Sequence, residues 1–472
     1  MTVDIRVIRA GQLYRYFLRE TVAGDGRRPA GAPLRTAQEQ AGVPAGRWMG
    51  RGLAALGLAP GQEVTDQHLK NLFGERGRHP CADLLEADRL AAGESPEKAY
   101  RAGTLGRRVT ATGVDLVFRP APTIYLLWAL ADETTGRVIE AAHEYAIGRV
   151  LEWIEDEAAV IRYGKDGTYR VRPPGGLVAA RFRHYEARSG MPLLHDHVLL
   201  SVKAQRPDGA WGSIHTTVLH ENTVAASALY NELVAAEVCE ELGLATEPRT
   251  VTEGRRPVME IAGVPHELIR WTARRSEQIA TCLAELEYEY VTTVDDDGQP
   301  KYLPVISERA RAKLNRIAAL KTRPPKKDKA RSLAQLHADW KQSAILTSGV
   351  PATVINSLLQ SSRAAAPGIR DRIPTVVDTD RAARDVTATV RMMNGGGRFH
   401  RRHLLAEARR HLALLLRGCR RDPHLDDRIV AAAVSTYCLD ISEPKTARGR
   451  EPGYRLYTAG LNLPGPGSVR RQ

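Results

Sequence analysis

Three histidines crowd one stretch of this 472-residue chain: His184 in "LVAARFRHYEAR", then His195 and His197 in "HDHVLLS". An extended strand alternates its side chains between two faces. His195 and His197 therefore share a face, and Asp196 takes the other. The intervening "RSGMP" has turn composition. It would fold "LVAARFRH" back antiparallel to "LLHDHVLLS" and bring His184 beside the pair. Three neutral imidazoles on one sheet face make a ligand set for a divalent cation, with positions left for water or substrate. Such a cation can polarise a phosphate oxygen and neutralise charge developing on it. The competing account is three ordinary half-buried histidines.

A polarised phosphate needs a nucleophile. Tyr14 and Tyr16 lie in "QLYRYFLRE" near the N-terminus. A phenol titrates near pH 10 in isolation, so attack on phosphorus requires help from a nearby cation. Residues two apart on a helix point about 200° apart, so only one of the two can address the metal at a time. Packing is the other account of both rings. Asp115, in the strand-like "TGVDLVF", could accept the spare N–H of a ligand histidine, fixing its tautomer and raising its basicity.

The elements that must position these groups follow from periodicity. "VDIRVIR" reads as a strand, and "AGQLYRYFLRETVA" as a helix with Leu13, Phe17 and Val22 near one face. An exposed-looking polar stretch runs to about residue 105, and "VTATGVDLVFRP" is a strand ended by Pro120. Ile124 to about Glu157 fits two helices or one broken helix. Strands "VIRYG", "TYRVR" and the two histidine strands follow, then an Asp-Gly turn in "RPDG". "TVAASALYNELVAAEVCEELG" is a helix stopped by Gly243. Residues 309–345 open with "RARAKLNRIAALKTRPPKKDKAR", which reads as a basic linker: a solvated tether, or else a nonspecific phosphate contact. Beyond it, residues 346–472 carry an amphipathic helix with Leu404, Leu405, Leu412 and Leu415 on its apolar side, a second helix and a strand-like "GYRLYTAGL". That order is winged-helix-like, and His400, His403 and His411 read as part of a basic, solvent-facing surface. Trp48, Trp211 and Trp271 read as core residues, with base stacking the alternative.

The bulk properties fit this chemistry. A net charge of +13 favours a polyanionic partner, nucleic acid first. The five cysteines form no CxxC or CxC pair, which argues against a disulfide framework or a thiolate zinc site. No apolar run spans a bilayer and the N-terminus has no signal-peptide core, so no membrane insertion and a cytoplasmic location are expected. The P-loop pattern is absent.

In combination, the N-terminal tyrosines, "GRWMGRGLAALGL", "GVDLVFRPAPTIYLLWAL", "FRHYEARSGMPLLHDHVLLS", "PDGAWGSIH" and "EIAGVP" resemble the relaxase domain of the TrwC/TraI-like (MobF) conjugative relaxases, members of the HUH endonucleases. The likeness covers roughly residues 5–280. It implies an α+β fold with a central antiparallel sheet of HUH/palm type flanked by helices, placed here at residues 1–308. It implies an enzyme that cuts one DNA strand at an origin of transfer and remains linked to the 5′ phosphate through tyrosine. Carried over, His184, His195 and His197 are metal ligands and Asp115 orients one of them. Tyr16 is the nucleophile and Tyr14 its competitor. The cofactor implied is a divalent ion, Mg or Mn foremost, with Zn or Ni as further options. The partners implied are single-stranded and origin-of-transfer DNA, a coupling protein or transfer machinery, and a separate helicase. Three departures stand out. No tyrosine occurs between Tyr16 and Tyr100, where the family commonly has a second pair. Pro122 occupies the place of a usual lysine, and no helicase motor follows. A rolling-circle replication initiator of the same chemistry, and a noncatalytic DNA-binding descendant, are the rival functions.

Overall fold

The computed structural model describes residues 3–460 apart from 12–13, 15–20, 23–27, 29–30, 165–167, 252, 254–255, 303–304, 326–330 and 444–453. At its centre is a five-stranded antiparallel sheet made of β1 (Val3–Arg9), β2 (Arg47–Met49), β3 (Ala111–Phe118), β4 (Ala179–Glu186) and β5 (Pro192–Ser201). The strand order is β1-β3-β5-β4-β2. The β4–β5 hairpin is the one that "RSGMP" predicts. Gly190 takes φ 82° in its turn, a conformation that a Cβ disfavours, and the Ala187 N–H closes the turn on the Met191 carbonyl at 2.9 Å.

Alternation along the strands divides the molecule into two layers. Val114, Leu116 and Phe118 of β3, with Val198 and Leu200 of β5, face a helical layer built from α1 (Pro122–Leu130), α2 (Glu133–Trp153) and α3 (Thr216–Leu242). The region read as two helices or one broken helix is two. The break falls at Asp132, whose carboxylate accepts the Thr135 N–H at 2.9 Å as an N-cap. The end of α3 is Gly243 in the left-handed conformation, as expected. On the other face, Ile8, Trp48, Phe182 and Leu199 pack against Leu69, Leu72 and Phe73. The stretch before residue 105 is therefore exposed only in part: residues 83–98 mostly face solvent, while Leu69, Leu72 and Phe73 are buried. It holds helices Asp66–Leu69, Ala82–Ala91 and Pro96–Ala102, and its apolar residues are clumped rather than periodic, which hid this second core from a pattern search.

The supposed linker at 309–345 is corrected too. Within or adjoining it lie α5 (Glu308–Lys321) and α6 (Leu333–Thr347), which follow α4 (Arg274–Thr292). Ser307 caps α5, and Ser332 forms a capping box with Gln335 at the start of α6. Behind the basic composition is an apolar stripe four residues apart: Leu336, Trp340 and Ala344 are all buried. The Trp340 ring lies 5.5 Å from that of Trp128, and its indole N–H donates to the Gly190 carbonyl at 2.8 Å. α6 thus clamps the turn between the histidine strands.

The C-terminal region comprises α7 (Thr379–Met393), β6 (Arg398–His400), α8 (Arg401–Leu416), α9 (Leu425–Ala432), β7 (Cys438–Asp440) and β8 (Leu456–Ala459), with strand order β6-β8-β7. Helix, strand, helix, helix, strand, strand is the element order of a winged helix, with one helix and two strands more than the sequence pattern gave. The unit packs α8 against α3. Arg409 spans that contact, donating to the Ala225 carbonyl at 2.9 Å and to Asp426 at 2.8 Å. His411 does not face solvent: it is 8% exposed, and burial followed by the charge of Arg256 pushes its pKa down to about 4. Among the described residues no helix is long and apolar enough to cross a membrane, and no cysteine forms a disulfide.

Candidate metal centre and anion groove

Beyond the second core, the same sheet face opens into a groove. The register aligns His184 of β4 with His195 of β5, and His197 with Val117 of β3. Two rungs further along, Asp115 aligns with Leu199. Their parity puts Asp115, His184, His195 and His197 on one face. The three imidazole rings lie 4.9, 4.9 and 5.4 Å apart by centroid, and one nitrogen from each falls within 4.8 Å of the others. Among the described residues this is the one cluster with metal-ligand spacing.

Hydrogen bonds orient the rings. The His197 Nδ1–H donates to Asp115, whose carboxylate oxygens lie at 2.9 and 3.0 Å, so Nε2 presents its lone pair to the groove. The His195 Nδ1–H donates to the Leu193 carbonyl at 2.8 Å, with the same consequence. His184 differs: its Nε2–H donates to the Thr21 carbonyl at 2.6 Å. Asp115 is 1% exposed and spends both oxygens on His197. Carboxylate or carbonyl partners behind ring nitrogens are what metal-binding histidines use, so the donor set fits a divalent ion.

A cavity of about 670 Å³ adjoins the triad. Six arginines line it: Arg6 and Arg119 from the β1–β3 side, Arg188 from the β4–β5 turn, Arg275 from α4, Arg316 from α5, and Arg323 just past it. Three carboxylates also reach the wall, and each is engaged: Asp4 by Arg119, Asp115 by His197 and Glu186 by Arg331. Arg275 is held below the usual arginine range, by burial first and then by the nearby charges of Arg323 and Arg188. Cations crowded in this way favour an anionic ligand. Sequence patterns singled out none of the six arginines as site residues: Arg6 and Arg119 lie on or beside strands, Arg188 sits in a turn, and Arg275, Arg316 and Arg323 belong to a helix and a basic segment read apart from the sheet. The phosphate-contact alternative for the basic segment was the signal that could have found the last two.

Tyr14 is 8% exposed in the second core, packed so closely on Gly74 that a Cβ there would sit 2.8 Å from the ring. Its hydroxyl has no hydrogen-bond partner among the described residues. Burial first, then Asp66, hold its phenol well above the ordinary range. Tyr14 does not line the groove, whereas Thr21 does. Tyr16, like Leu13 and Phe17, lies outside the described residues. Trp48 and Trp271 are core residues, as expected; Trp211 is half-buried. Pro122 opens α1 in the first turn, where a missing N–H costs nothing.

The family model described as TrwC relaxase matches residues 10–346. No curated protein matches the chain. Among solved structures, a copper-bound complex of the conjugative relaxase TrwC with oriT DNA is 21% identical, with a TM-score of 0.50, covering 74% of this chain and 99% of its own. A metal-free TrwC complex with oriT DNA is 22% identical with a TM-score of 0.48, covering 72% of this chain and 97% of its own. TrwC bound to a 27-mer DNA comprising the recognition hairpin and the cleavage site is 21% identical with a TM-score of 0.47, covering 74% and 99%.

Proposed function

Because the chain belongs to the TrwC relaxase family, we propose that it nicks one DNA strand at an origin of transfer and holds the cut end covalently, starting conjugative transfer from the cytoplasm. The observation that carries this reading is the convergence of His184, His195 and His197, backed by Asp115, on the floor of a groove walled by six arginines. The copper-bound TrwC structure contains oriT DNA, which supports DNA as the groove's occupant.

His184, His195 and His197 would hold the ion, which supplies Lewis-acid polarisation of the scissile phosphate. Three imidazole donors suit Mn, Ni, Cu or Zn better than Mg, which prefers oxygen ligands. Asp115 keeps His197 in the tautomer that offers Nε2. The arginines bind and orient the phosphodiester backbone, lowering the cost of bringing an anionic nucleophile to an anionic centre. Tyr16 is the nucleophile: its oxygen bonds to phosphorus, the P–O3′ bond breaks, and the phenol proton is made up on the departing 3′ oxygen. No bond energy is lost to water, so a free 3′-hydroxyl can reverse the step. Tyr14, buried and with no partner for its hydroxyl among the described residues, serves as an anchor in the second core. A second cleavage then falls to another copy of the protein, and strand separation and delivery to a separate helicase and coupling protein.

The test is incubation with single-stranded origin-of-transfer oligonucleotides and Mn²⁺, followed by denaturing electrophoresis. A covalent adduct is expected for wild type and for Tyr14→Phe, and none for Tyr16→Phe or His197→Ala. Binding without any adduct would leave only the noncatalytic descendant standing; an adduct lost in Tyr14→Phe and kept in Tyr16→Phe would reverse the assignment of the nucleophile.

A further inference from the structure

The residue between the two β5 histidines is Asp196, and it is 0% exposed on the far side of the sheet. A carboxylate sealed there needs a reason, because taking a charge out of water is costly unless partners compensate it. Its chief partner is Arg183, the residue before His184. The guanidinium meets both carboxylate oxygens, Nε at 3.0 Å and Nη2 at 3.2 Å. The register pairs His184 with His195, and on the adjacent rung Arg183 with Asp196. The two consecutive rungs therefore present a ligand pair to the groove and a forked ion pair to the core.

The ladder is irregular at this end of the hairpin. Immediately past His184 the β4–β5 register shifts before Glu186 pairs with Pro192. Such irregularities bend a strand and change where its side chains point. The fork adds a side-chain constraint at the last regular rungs, and all three helices of the layer hold it. His143 of α2 lies 3.2 Å from Asp196 through Nε2, and through Nδ1 it is 2.6 Å from the Tyr230 hydroxyl of α3. Arg183 also donates to Glu140 of α2 at 3.0 Å, and Glu140 accepts the Trp128 N–H from α1 at 2.9 Å.

We infer that the Arg183–Asp196 ion pair, backed by His143 and Tyr230, is a positioning device that sets the spacing of the metal-binding histidines. Bidentate guanidinium–carboxylate contacts fix two backbones in distance and angle together, whereas apolar packing tolerates sliding. The device touches no substrate; it acts through His184, His195 and His197. The inference rests on the metal reading above and adds the residues that make the triad a site.

Two variants test it in the full-length protein, with Mn²⁺ affinity by calorimetry and the absorption spectrum of the Co²⁺-loaded protein as readouts. Asp196→Asn should weaken Mn²⁺ binding at least tenfold and alter the Co²⁺ spectrum at saturation. The paired Arg183→Met, Asp196→Leu variant removes both charges of the pair together and leaves His143 its Tyr230 contact and Glu140 its Trp128 contact, and such replacements of buried ion pairs often hold stability. It should stay folded and still lose at least tenfold in affinity, a result that a purely structural role does not produce. Glu260→Gln, which disturbs another buried carboxylate network with Arg249 and Thr123, should lower the melting temperature and leave metal affinity unchanged. Wild-type affinity in the paired variant overturns the inference while the metal reading survives. Absence of Mn²⁺ or Co²⁺ binding by wild type overturns both.

Discussion

Replacing Asp115 by asparagine separates the carboxylate's charge from its shape. The side chain is 1% exposed and both its oxygens lie within 3.0 Å of His197 Nδ1. An asparagine fills the same space, yet it carries no charge and can turn its amide N–H₂ toward the ring, rewarding the tautomer that places the proton on Nε2. That tautomer withdraws one of three donors from the metal. Losing a carboxylate behind a ligand histidine typically weakens metal binding about 10–100-fold, or about 1.4–2.7 kcal/mol. Calorimetric titration with Mn²⁺ measures this directly, and His195→Ala sets the scale for losing a ligand outright. Thermal unfolding of the metal-free variant checks that the sheet is intact. A dissociation constant within twofold of wild type would refute the reasoning, since it would mean that the ion does not use His197 Nε2 or does not sit at the triad.

Neutralising two groove cations, Arg316→Gln with Arg323→Gln, should weaken single-stranded DNA binding and reduce the salt slope of log affinity by about 1.4, at about 0.7 per phosphate contact; fluorescence anisotropy at several salt concentrations reads it. His411, at about 4 in the folded chain against about 6.5 unfolded, takes up its proton more readily when unfolded. Its effect on stability is constant above pH 6.5 and becomes unfavourable as pH falls toward 4, by up to about 3 kcal/mol. Urea unfolding at pH 7.5 and 4.5 should show that loss in wild type and a smaller one in His411→Gln. Tyr14→Phe should leave stability unchanged or raise it by up to about 1 kcal/mol, because the hydroxyl it removes is buried with no partner among the described residues; urea midpoints give the sign.

The amino-acid sequence by itself determined what is local. Strand alternation and a glycine turn sufficed to bring His184, His195 and His197 to one face, because a period of two and a tight hairpin leave the register little freedom. The helix stop at Gly243 and the helix–helix–strand order near the C-terminus are local in the same sense. Only the tertiary structure decided the rest. Arg6, Arg188, Arg275 and Arg316 come from four distant segments, and no spacing rule connects residues that meet only after the sheet and helices have packed. The basic segment at 309–345 looked like a tether because charge dominates its composition, while the three buried side chains that dock α6 are visible only against Trp128 and Gly190. The family resemblance ranked Tyr16 ahead of Tyr14 as nucleophile, but nothing in the sequence showed that the second core encloses Tyr14. Alternation put Asp196 on the face opposite the histidines, but it could not supply Arg183, His143 and Tyr230 as partners, since burial of a charge is settled by what the whole fold brings to it.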